Sequence, residues 1–281
     1  MSKHARTERV LGPARAQAIT GKTEKGLSEF FRALNAARSG ALLLDYDGTL
    51  APFRLDRFQA RPYAGVRELL ERIQAQGRTR MVFITGRPAG EIGPLLGLAT
   101  PVEVWGLHGA ERLLPNGRRV LDKASPAAAK KLDDLRAHLR RDSFGGLFED
   151  KANGAVMHWR GEPARKAQAI ERKARALFQP LAAMGGFTLL EFESGLELRT
   201  GRDKGEAVEA ILADAGSDLP AAFLGDDITD EAAFRAVNSA ANPSLSVLVR
   251  RERRRTDARL WLRPPAELRS FLRRWIAATE S

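Results

Sequence analysis

The chain contains no cysteine among its 281 residues, which excludes disulfide bonds, thiolate catalysis and zinc or iron–sulfur sites with cysteine ligands. It has no uninterrupted apolar run of about 18 residues or more, so we expect no membrane-spanning helix. Residues 1–20 alternate charged and small side chains and lack the apolar core of a signal peptide. These absences predict a cytoplasmic protein with no membrane partner.

Several common catalytic signatures are missing as well. No Gly-x-Ser-x-Gly sequence is present, and Gly21-Lys22-Thr23 does not end a P-loop, because Ala16 stands where that motif requires glycine. The histidines do not have the spacing of metal ligands: His4, His108, His138 and His158. The sequence therefore gives no support to a serine esterase, a P-loop nucleotide hydrolase or a histidine-ligated metal centre.

Positive charge exceeds negative charge, with 46 Lys and Arg against 35 Asp and Glu, a formal net charge of +11 and a pI near 10.5. Such a balance suits a nucleic acid, an anionic membrane or an anionic substrate. Only ten of the cations are Lys, and the densest run, from Arg250 to Arg255, has no interleaved aromatic residues. We interpret most of the excess as surface composition, place this run away from any motif, and expect no nucleic-acid partner.

The hydrophobic pattern predicts a parallel sheet flanked by helices. Short continuous apolar runs, typical of buried strands, occur at Ala41–Leu44, Met81–Ile84 and Ala221–Leu224, and each ends abruptly in polar residues. Segments with a helical spacing of apolar residues alternate with these strands over short connections. This alternation favours an α/β fold.

The middle of the chain breaks the alternation. A hairpin around Pro115-Asn116-Gly117, two helical segments and about four further strands predict a compact α+β insert within the sheet domain. We therefore predict a Rossmann-like parallel-sheet core formed by residues 26–108 and 201–281, with an α+β cap domain at 109–200. Residues 1–25 show no clean period, and we expect a flexible tail there.

Two carboxylates follow the first buried strand. Residues i and i+2 beyond a strand can aim their side chains into one space, and Asp45 and Asp47 have this spacing. Two close like charges require a cation, or a proton on one of the pair. The pair alone leaves two alternatives open: a loop with a capping aspartate, and the metal-binding DxD sequence of a glycosyltransferase that uses a nucleotide sugar.

A second acidic group follows another strand, where Asp226 and Asp227 precede Asp230 and Glu231. Such a cluster is repulsive unless it helps to hold a cation, and Mg²⁺ prefers hard oxygen ligands of this kind. Helix capping near Thr229 is the alternative. Capping accounts for Asp230 but not for the adjacent Asp226 and Asp227.

A hydroxyl, a glycine and a lysine complete the set of polar groups. Thr85 and Gly86 follow the strand at Met81–Ile84 and offer a hydroxyl and accessible backbone amides to an anion. Lys204 opens a helix, where a cation opposes the helix dipole unless an anion lies beside it. Carboxylates, a metal cluster, a hydroxyl and a cation together predict phosphoryl transfer to an aspartate followed by hydrolysis.

These segments resemble, in order and spacing, the four motifs of the haloacid dehalogenase superfamily: Asp45-Tyr46-Asp47-Gly48-Thr49, Thr85-Gly86-Arg87, Lys204-Gly205 and Gly225-Asp226-Asp227-x-Thr229-Asp230-Glu231. Within that superfamily the chain is similar to the trehalose-6-phosphate phosphatases through three further segments: Gly106–Glu111, Glu149–Lys151 with His158–Arg160, and Glu197–Arg199. The resemblance covers residues 27–276 and implies a core of the haloacid dehalogenase type.

The resemblance implies a role for each core motif. Asp45 would be the nucleophile, and Asp47 would protonate the leaving oxygen and later act as the base for water. Thr85 and Lys204 would hold the phosphoryl oxygens. The implied binding residues of a Mg²⁺ cofactor are Asp45, the backbone carbonyl of Asp47, and Asp226, with Asp227 and Asp230 in support.

The resemblance also implies substrate contacts in the cap. Glu149, Lys151 and Glu197 would hydrogen-bond sugar hydroxyls, because carboxylates accept and an ammonium group donates; salt bridges between cap strands are the alternative. The other implied substrate-binding residues are Gly86, Arg87, His108 and Arg199, of which the last two could equally be structural. The chain departs from the family pattern at Trp159, where many members have Tyr, and at Thr200, where many have Pro.

The resemblance therefore implies a Mg²⁺-dependent phosphatase of trehalose biosynthesis that releases trehalose and phosphate from trehalose 6-phosphate. Another sugar phosphate, of the sucrose- or glucosylglycerol-phosphate type, is the nearest alternative; a basic nucleic-acid-binding protein and a glycosyltransferase are more remote. The expected partner is a small-molecule sugar phosphate. The trehalose-6-phosphate synthase that makes it is a candidate for association.

Overall fold

The computed structural model describes residues 21–280 except residues 38, 55, 123, 142–144, 152, 185, 193 and 217–218. Most of the predicted tail, residues 1–20, lies outside the described residues. The first helix begins at Gly21, within the segment 1–25 that we predict as a flexible tail. None of the described helices is both long and apolar enough to cross a membrane.

The larger sheet of the described residues has eight strands: β1 (Gly40–Leu44), β2 (Thr79–Ile84), β3 (Glu103–Gly106), β4 (Glu111–Leu113), β5 (Arg119–Leu121), β10 (Ala221–Gly225), β11 (Ser244–Val249) and β12 (Leu260–Leu262). Their order is β12-β11-β10-β1-β2-β3-β4-β5. The strands from β12 to β3 are parallel, and β4 and β5 add an antiparallel hairpin at one edge.

A second sheet has four antiparallel strands in the order β6-β7-β9-β8: β6 (Phe148–Lys151), β7 (Gly154–His158), β8 (Phe187–Phe192) and β9 (Gly195–Thr200). The α-helices of the described residues are α1 (Gly21–Ala36), α2 (Val66–Ala75), α3 (Ile92–Leu96), α4 (Pro126–Arg141), α5 (Ala164–Ala182), α6 (Lys204–Ala215), α7 (Glu231–Ser239) and α8 (Ala266–Thr279).

The strands of the large sheet are apolar on both faces because helices cover both sides. β1 is buried along its whole length. Leu42 and Leu44 belong to a core cluster with α1, α2, α3 and α8, whereas Ala41 and Leu43 belong to a cluster with α6 and α7. Successive side chains of a strand point to opposite faces, so one continuous apolar run fills both cores. This arrangement confirms the predicted α/β core.

The smaller sheet forms the predicted α+β insert, since its strands and both of its helices lie between β5 and α6 along the chain. Side chains of β7 and β9 pack on α4 and α5 through residues such as Leu135, Phe178 and Leu198. A separate apolar cluster holds this unit together, which is the behaviour expected of a cap domain.

The hairpin around Pro115-Asn116-Gly117 does not belong to that insert. β4 pairs with β3, with Trp105 opposite Arg112, and so extends the large sheet. The cap boundary that we predict at residue 109 is therefore too early, because the tight turn returns the chain to the edge of the core sheet. Elements of the smaller unit begin only with α4.

The strand order places the candidate active site. The chain leaves β1 towards β2 on one side and returns to β10 on the other side of β1, so the order reverses at the boundary between β1 and β10. Open α/β sheets bind ligands outside the carboxyl ends of their strands at such a reversal. Asp45, Thr85 and Asp226 directly follow β1, β2 and β10.

A buried tryptophan tests the packing of the terminal helices. Trp275 of α8 is fully buried, its ring centroid lies 5.9 Å from that of Phe30 in α1, and its indole N–H donates to the Thr79 hydroxyl at 2.9 Å. Trp275→Ala should lower the free energy of unfolding by about 3–5 kcal/mol, measured by urea denaturation. Phe53→Ala, at a side chain that is 68% exposed, should change it by less than about 0.5 kcal/mol. If Trp275→Ala lowered the free energy of unfolding as little as Phe53→Ala does, the result would contradict this packing.

Candidate active site

The side chain of Asp45 lies at the centre of the candidate site. β1 lies between β10 and β2, so the ends of three strands meet around it. Asp45 is buried; its Oδ2 accepts a hydrogen bond from the Thr49 hydroxyl at 2.9 Å, and its Oδ1 accepts one from Lys204 Nζ at 2.7 Å. Two donors therefore fix the orientation of this carboxylate.

Lys204 is the first residue of α6, and its side chain is 3% exposed. Its ammonium group lies between Asp45 and Asp230, with Nζ 2.6 Å from Asp230 Oδ1. Burial alone would lower the pKa of Lys204, but the carboxylates of Asp230 and Asp45 raise it above its ordinary value. The two carboxylates offset the unfavourable helix dipole and keep this lysine positively charged.

Three buried carboxylates form an acidic cluster, which we define as Asp45, Asp226 and Asp230. Each of them offers an oxygen atom within 4.8 Å of the others. Asp230 Oδ2 accepts the backbone N–H groups of Asp226 at 2.9 Å and Asp227 at 3.0 Å, so it holds the loop that carries Asp226. Asp227 instead accepts the backbone N–H of Ile228 at 2.7 Å and begins a short 3₁₀ turn.

The donor set of the acidic cluster fits Mg²⁺. Hard carboxylate oxygens are the ligands that this ion prefers, and Asp45 and Asp226 keep acceptor capacity beyond the contacts described. Burial raises the pKa of Asp45 to about 7, although Lys204 opposes the shift. Burial, followed by the charges of Asp45 and Asp230, raises the pKa of Asp226 to about 9. The single positive charge of Lys204 therefore does not neutralise the three carboxylates, whereas an added divalent cation would.

A glycine lets the loop after β1 approach the acidic cluster. Gly48 has a φ of +80°, and a Cβ atom built on it would lie 2.1 Å from Asp226 Oδ2. Only glycine combines this backbone conformation with so close an approach. The Gly of the Asp45–Thr49 motif is therefore explained by the contact between the two acidic loops.

Arg87 makes a two-pronged ion pair with Asp47. Its Nε lies 2.6 Å from Asp47 Oδ2, and its Nη2 lies 2.6 Å from Oδ1. The Arg87 side chain is 8% exposed, and the hydrogen bonds to Asp47 raise its pKa. We predict Arg87 as a substrate-binding residue, but the structure directs its guanidinium group to Asp47.

Thr85, Gly86 and His108 lie together beside this pair. The Thr85 hydroxyl accepts the backbone N–H of Arg87 at 3.2 Å, and the Thr85 carbonyl accepts that of His108 at 2.8 Å. A Cβ atom at Gly86 would lie 2.7 Å from His108 Nε2, so the glycine makes room for the ring. Burial, and then the charges of Arg199, Lys204 and Lys151, lowers the pKa of His108 well below its ordinary value, so its ring is neutral.

Three of the predicted sugar-binding residues of the cap, Glu149, Lys151 and Glu197, contact other side chains of the cap. Lys151 Nζ lies 3.0 Å from Glu197 Oε2, and His158 Nε2 lies 2.8 Å from Glu149 Oε2. The alternative of salt bridges between cap strands therefore describes the contacts in this structure. Arg199 differs, because it is 2% exposed and, among the described residues, its Nε and Nη1 have no hydrogen-bond partner.

Two side chains at this site escape prediction from the sequence. One is Thr49, although its position four residues after Asp45 could have indicated the hydrogen bond between them. Arg254 donates from Nη2 to the Asp227 carbonyl at 2.6 Å. Our placement of the arginine run away from any motif is therefore wrong, because residues 27 positions apart in sequence meet where the ends of neighbouring strands come together.

The raised pKa values of Asp45 and Asp226 predict how stability depends on pH. In the metal-free folded protein these groups have pKa values of about 7 and 9, against an ordinary value of 3.8, so the folded state binds more protons than the unfolded state across that window. The free energy of unfolding should therefore fall as the pH rises from about 4 to about 9. Urea denaturation in the presence of EDTA measures this free energy at each pH. Asp226→Asn should make it decrease less steeply as the pH rises.

The control for this experiment is Asp134→Asn, which removes a carboxyl whose side chain is 71% exposed on α4. It should leave the slope of stability against pH unchanged. A free energy of unfolding that rises with pH in the metal-free wild-type protein over this window would contradict the raised pKa values.

Comparisons with known proteins show which family and which fold the chain resembles. The sequence model of the family described as "Trehalose-phosphatase" matches residues 43–264. The chain is 31% identical over 236 residues to a "Probable trehalose-phosphate phosphatase" of Sinorhizobium fredii, covering 82% of this chain and 86% of that protein. It resembles the solved Aspergillus fumigatus trehalose-6-phosphate phosphatase with a TM-score of 0.70 at 22% identity, covering 90% of this chain and 97% of that one.

A mycobacterial relative is longer than this chain. The "Trehalose-phosphate phosphatase" of Mycolicibacterium paratuberculosis is 29% identical over 273 residues, which cover 93% of this chain but 66% of the relative. The chain thus spans just under two thirds of that relative's length. The family match covers most of the chain, including every core motif from Asp45 to Glu231, and the chain belongs to the trehalose-phosphatase family.

Proposed function

We propose that the protein hydrolyses trehalose 6-phosphate to trehalose and phosphate through an aspartyl-phosphate on Asp45. The observation that carries this proposal is the buried Asp45 carboxylate, held by Thr49 and Lys204 beside the acidic cluster. Such an arrangement suits a nucleophile that must attack a phosphoryl group without being repelled by it. Membership of the trehalose-phosphatase family supports the choice of substrate.

In the first step a carboxylate oxygen of Asp45 forms a bond to phosphorus, and the bond between phosphorus and the sugar oxygen breaks. Asp47 gives its proton to that leaving oxygen, which departs as a hydroxyl of trehalose. In the second step Asp47 takes a proton from water, the water oxygen attacks phosphorus, and the bond to Asp45 breaks. Phosphate leaves, and both carboxyl groups return to their starting states.

Arg87 orients the acid and base. Its guanidinium group contacts both oxygens of Asp47, so the plane of the carboxyl group is fixed relative to the end of β2. Fixed geometry contributes to the rate because phosphoryl transfer depends chiefly on positioning and electrostatics.

Lys204 and Thr85 would hold the phosphoryl oxygens. Lys204 carries its charge in a buried position, where an electrostatic contact to a transferring group is stronger than in water. The Thr85 hydroxyl lies in the turn after β2, beside the end of β1 that carries Asp45. The positive charge of Lys204 would reduce the repulsion between the Asp45 carboxylate and the phosphate, and the Thr85 hydroxyl would offer a hydrogen-bond donor.

Mg²⁺ is the proposed cofactor, held by Asp45, Asp226 and the backbone carbonyl of Asp47. When bound, it supplies positive charge that neutralises the acids and the phosphoryl oxygens. Asp230 contributes indirectly, since its oxygens are engaged by Lys204 and by the backbone of the Asp226 loop. Asp227 supports the same loop through the 3₁₀ turn.

The cap residues would bind the sugar by exchanging their mutual contacts for contacts with hydroxyl groups. Lys151 offers a donor and Glu197 offers an acceptor, and these two groups contact each other in the structure. Glu149, on β6, offers a second acceptor. Arg199 brings unpartnered donor groups in a buried position, which a hydroxyl oxygen would satisfy. The expected cytoplasmic location and the association with trehalose-6-phosphate synthase remain predictions.

Asp45→Asn tests the nucleophile. The amide is not nucleophilic enough to form the covalent intermediate, so we expect kcat for trehalose 6-phosphate to fall by at least about 10⁴-fold. Asp134→Asn is the matched control and should keep wild-type activity. Phosphate release is the measurement, and circular dichroism checks that both variants fold. Turnover by Asp45→Asn within tenfold of wild type would contradict the proposal.

A substrate panel tests the sugar. We expect kcat/KM for trehalose 6-phosphate to exceed that for sucrose 6-phosphate, glucosylglycerol phosphate and p-nitrophenyl phosphate by at least about tenfold. Lys151→Ala should reduce the value for trehalose 6-phosphate and leave p-nitrophenyl phosphate unaffected. Lys130→Ala, at a side chain that is 79% exposed on α4, is the control. Preferred turnover of another sugar phosphate would assign the site to the alternative substrate class.

A further inference from the structure

The arginine run from Arg250 to Arg255 has no role in the proposed reaction, yet two of its members reach the loop that carries Asp226. Arg250 Nη1 approaches the Asp226 carbonyl at 3.4 Å, and Arg254 contacts this carbonyl and the next one. The Arg254 side chain is 20% exposed. Its Nη2 donates to the Asp227 carbonyl at 2.6 Å, and its Nε approaches the Asp226 carbonyl at 3.4 Å. Its Nη1 contacts the carboxylate of Glu231. A single guanidinium group thus spans the loop that carries Asp226.

Arg254 completes the hydrogen bonding of two consecutive peptide units. In the first, the N–H of Asp227 is held by Asp230 Oδ2 at 3.0 Å, and the Asp226 carbonyl faces Arg254. In the second, the N–H of Ile228 is held by Asp227 Oδ1 at 2.7 Å, and the Asp227 carbonyl accepts from Arg254. Each unit is therefore held at both ends, which prevents the loop from rotating about its backbone.

An ordinary surface ion pair with Glu231 does not account for this arrangement. The Glu231 side chain is 12% exposed, and its second oxygen accepts the backbone N–H of Asp257 at 2.8 Å. Glu231 is thus an anchor that fixes the guanidinium group from behind, while the two carbonyl contacts face the acidic loop. Only the planar fork of an arginine offers donors in all three directions.

We propose that Arg254 is a positioning residue, which holds the peptide between Asp226 and Asp227 so that the Asp226 carboxylate stays in place to bind a divalent cation. The inference rests on the proposed function, because it takes Asp226 to be a Mg²⁺ ligand. Partners of this kind, one shell beyond the ligands, typically change metal affinity by about 10–100-fold when removed.

The sign of the effect separates positioning from simple electrostatics. A positive charge beside a cation site repels the cation, so removal of the Arg254 charge would by Coulomb's law alone strengthen Mg²⁺ binding. Loss of positioning weakens binding instead. A neutral replacement therefore shifts the affinity in opposite directions under the two explanations, and a lysine that keeps the charge but lacks the fork isolates the geometric part.

The experiment measures Mg²⁺ binding by isothermal titration calorimetry on the wild-type chain and on its Arg254→Gln and Arg254→Lys variants. The control is Arg253→Gln, which removes the same charge from an exposed neighbour. We expect Kd for Mg²⁺ to rise by about tenfold or more in both Arg254 variants and to stay within about twofold in the control. At saturating Mg²⁺ the KM for trehalose 6-phosphate should remain at the wild-type value.

A wild-type or smaller Kd in either Arg254 variant would overturn the proposal. Glu231→Gln provides a second route if an Arg254 variant fails to fold, because it leaves the guanidinium group in place without its anchor and should also weaken Mg²⁺ binding. A different result would contradict the proposed function: wild-type protein that neither binds Mg²⁺ nor releases phosphate from trehalose 6-phosphate. If the Arg254 variants keep wild-type activity and wild-type Mg²⁺ affinity, the proposed role of Arg254 is contradicted and the proposed function is not.

Discussion

The buried ammonium group of Lys204 between Asp45 and Asp230 is the interaction on which the rest of the site depends. It joins the loop after β1 to the loop after β10, two segments that meet only because their strands are neighbours. Three carboxylates with oxygens within 4.8 Å cannot all ionise without positive charge, and Lys204 supplies part of it. Burial, and then the charges of Asp45 and Asp230, raises the pKa of Asp226 to about 9, and a divalent cation would offset both effects.

Two arginines hold the acidic loops from outside this centre. Arg87 fixes the side chain of Asp47 through both carboxylate oxygens, and Arg254 contacts the backbone carbonyls beside Asp226. Neither residue needs to touch the substrate to influence the proposed reaction, because Arg87 orients the proposed acid and base and Arg254 holds the loop of a proposed Mg²⁺ ligand. The excess of arginine therefore has a structural use at two places, although most of the positive charge belongs to the surface.

The sequence pattern was sufficient for the sheet and for the residues at its strand ends. Continuous apolar runs such as Ala41–Leu44 identify buried strands, and polar residues that follow neighbouring parallel strands gather at one edge, so the meeting of Asp45 and Asp226 was predictable. The pairing of the hairpin with β3 was not, because its short strands fit either domain equally well. The contact of Arg254 with Asp227 depends on how separate loops pack, and no local pattern encodes it.

The central claim is that Asp45 becomes phosphorylated during turnover. Rapid acid quenching of the enzyme with trehalose 6-phosphate labelled with ³²P in the phosphate, followed by peptide mapping, tests it most directly. The account predicts transient label on the peptide that contains Asp45, lost on a chase with unlabelled substrate and absent from Asp45→Asn. Phosphate release at the wild-type rate with label on another residue, or with no covalent label at any quench time, would contradict it.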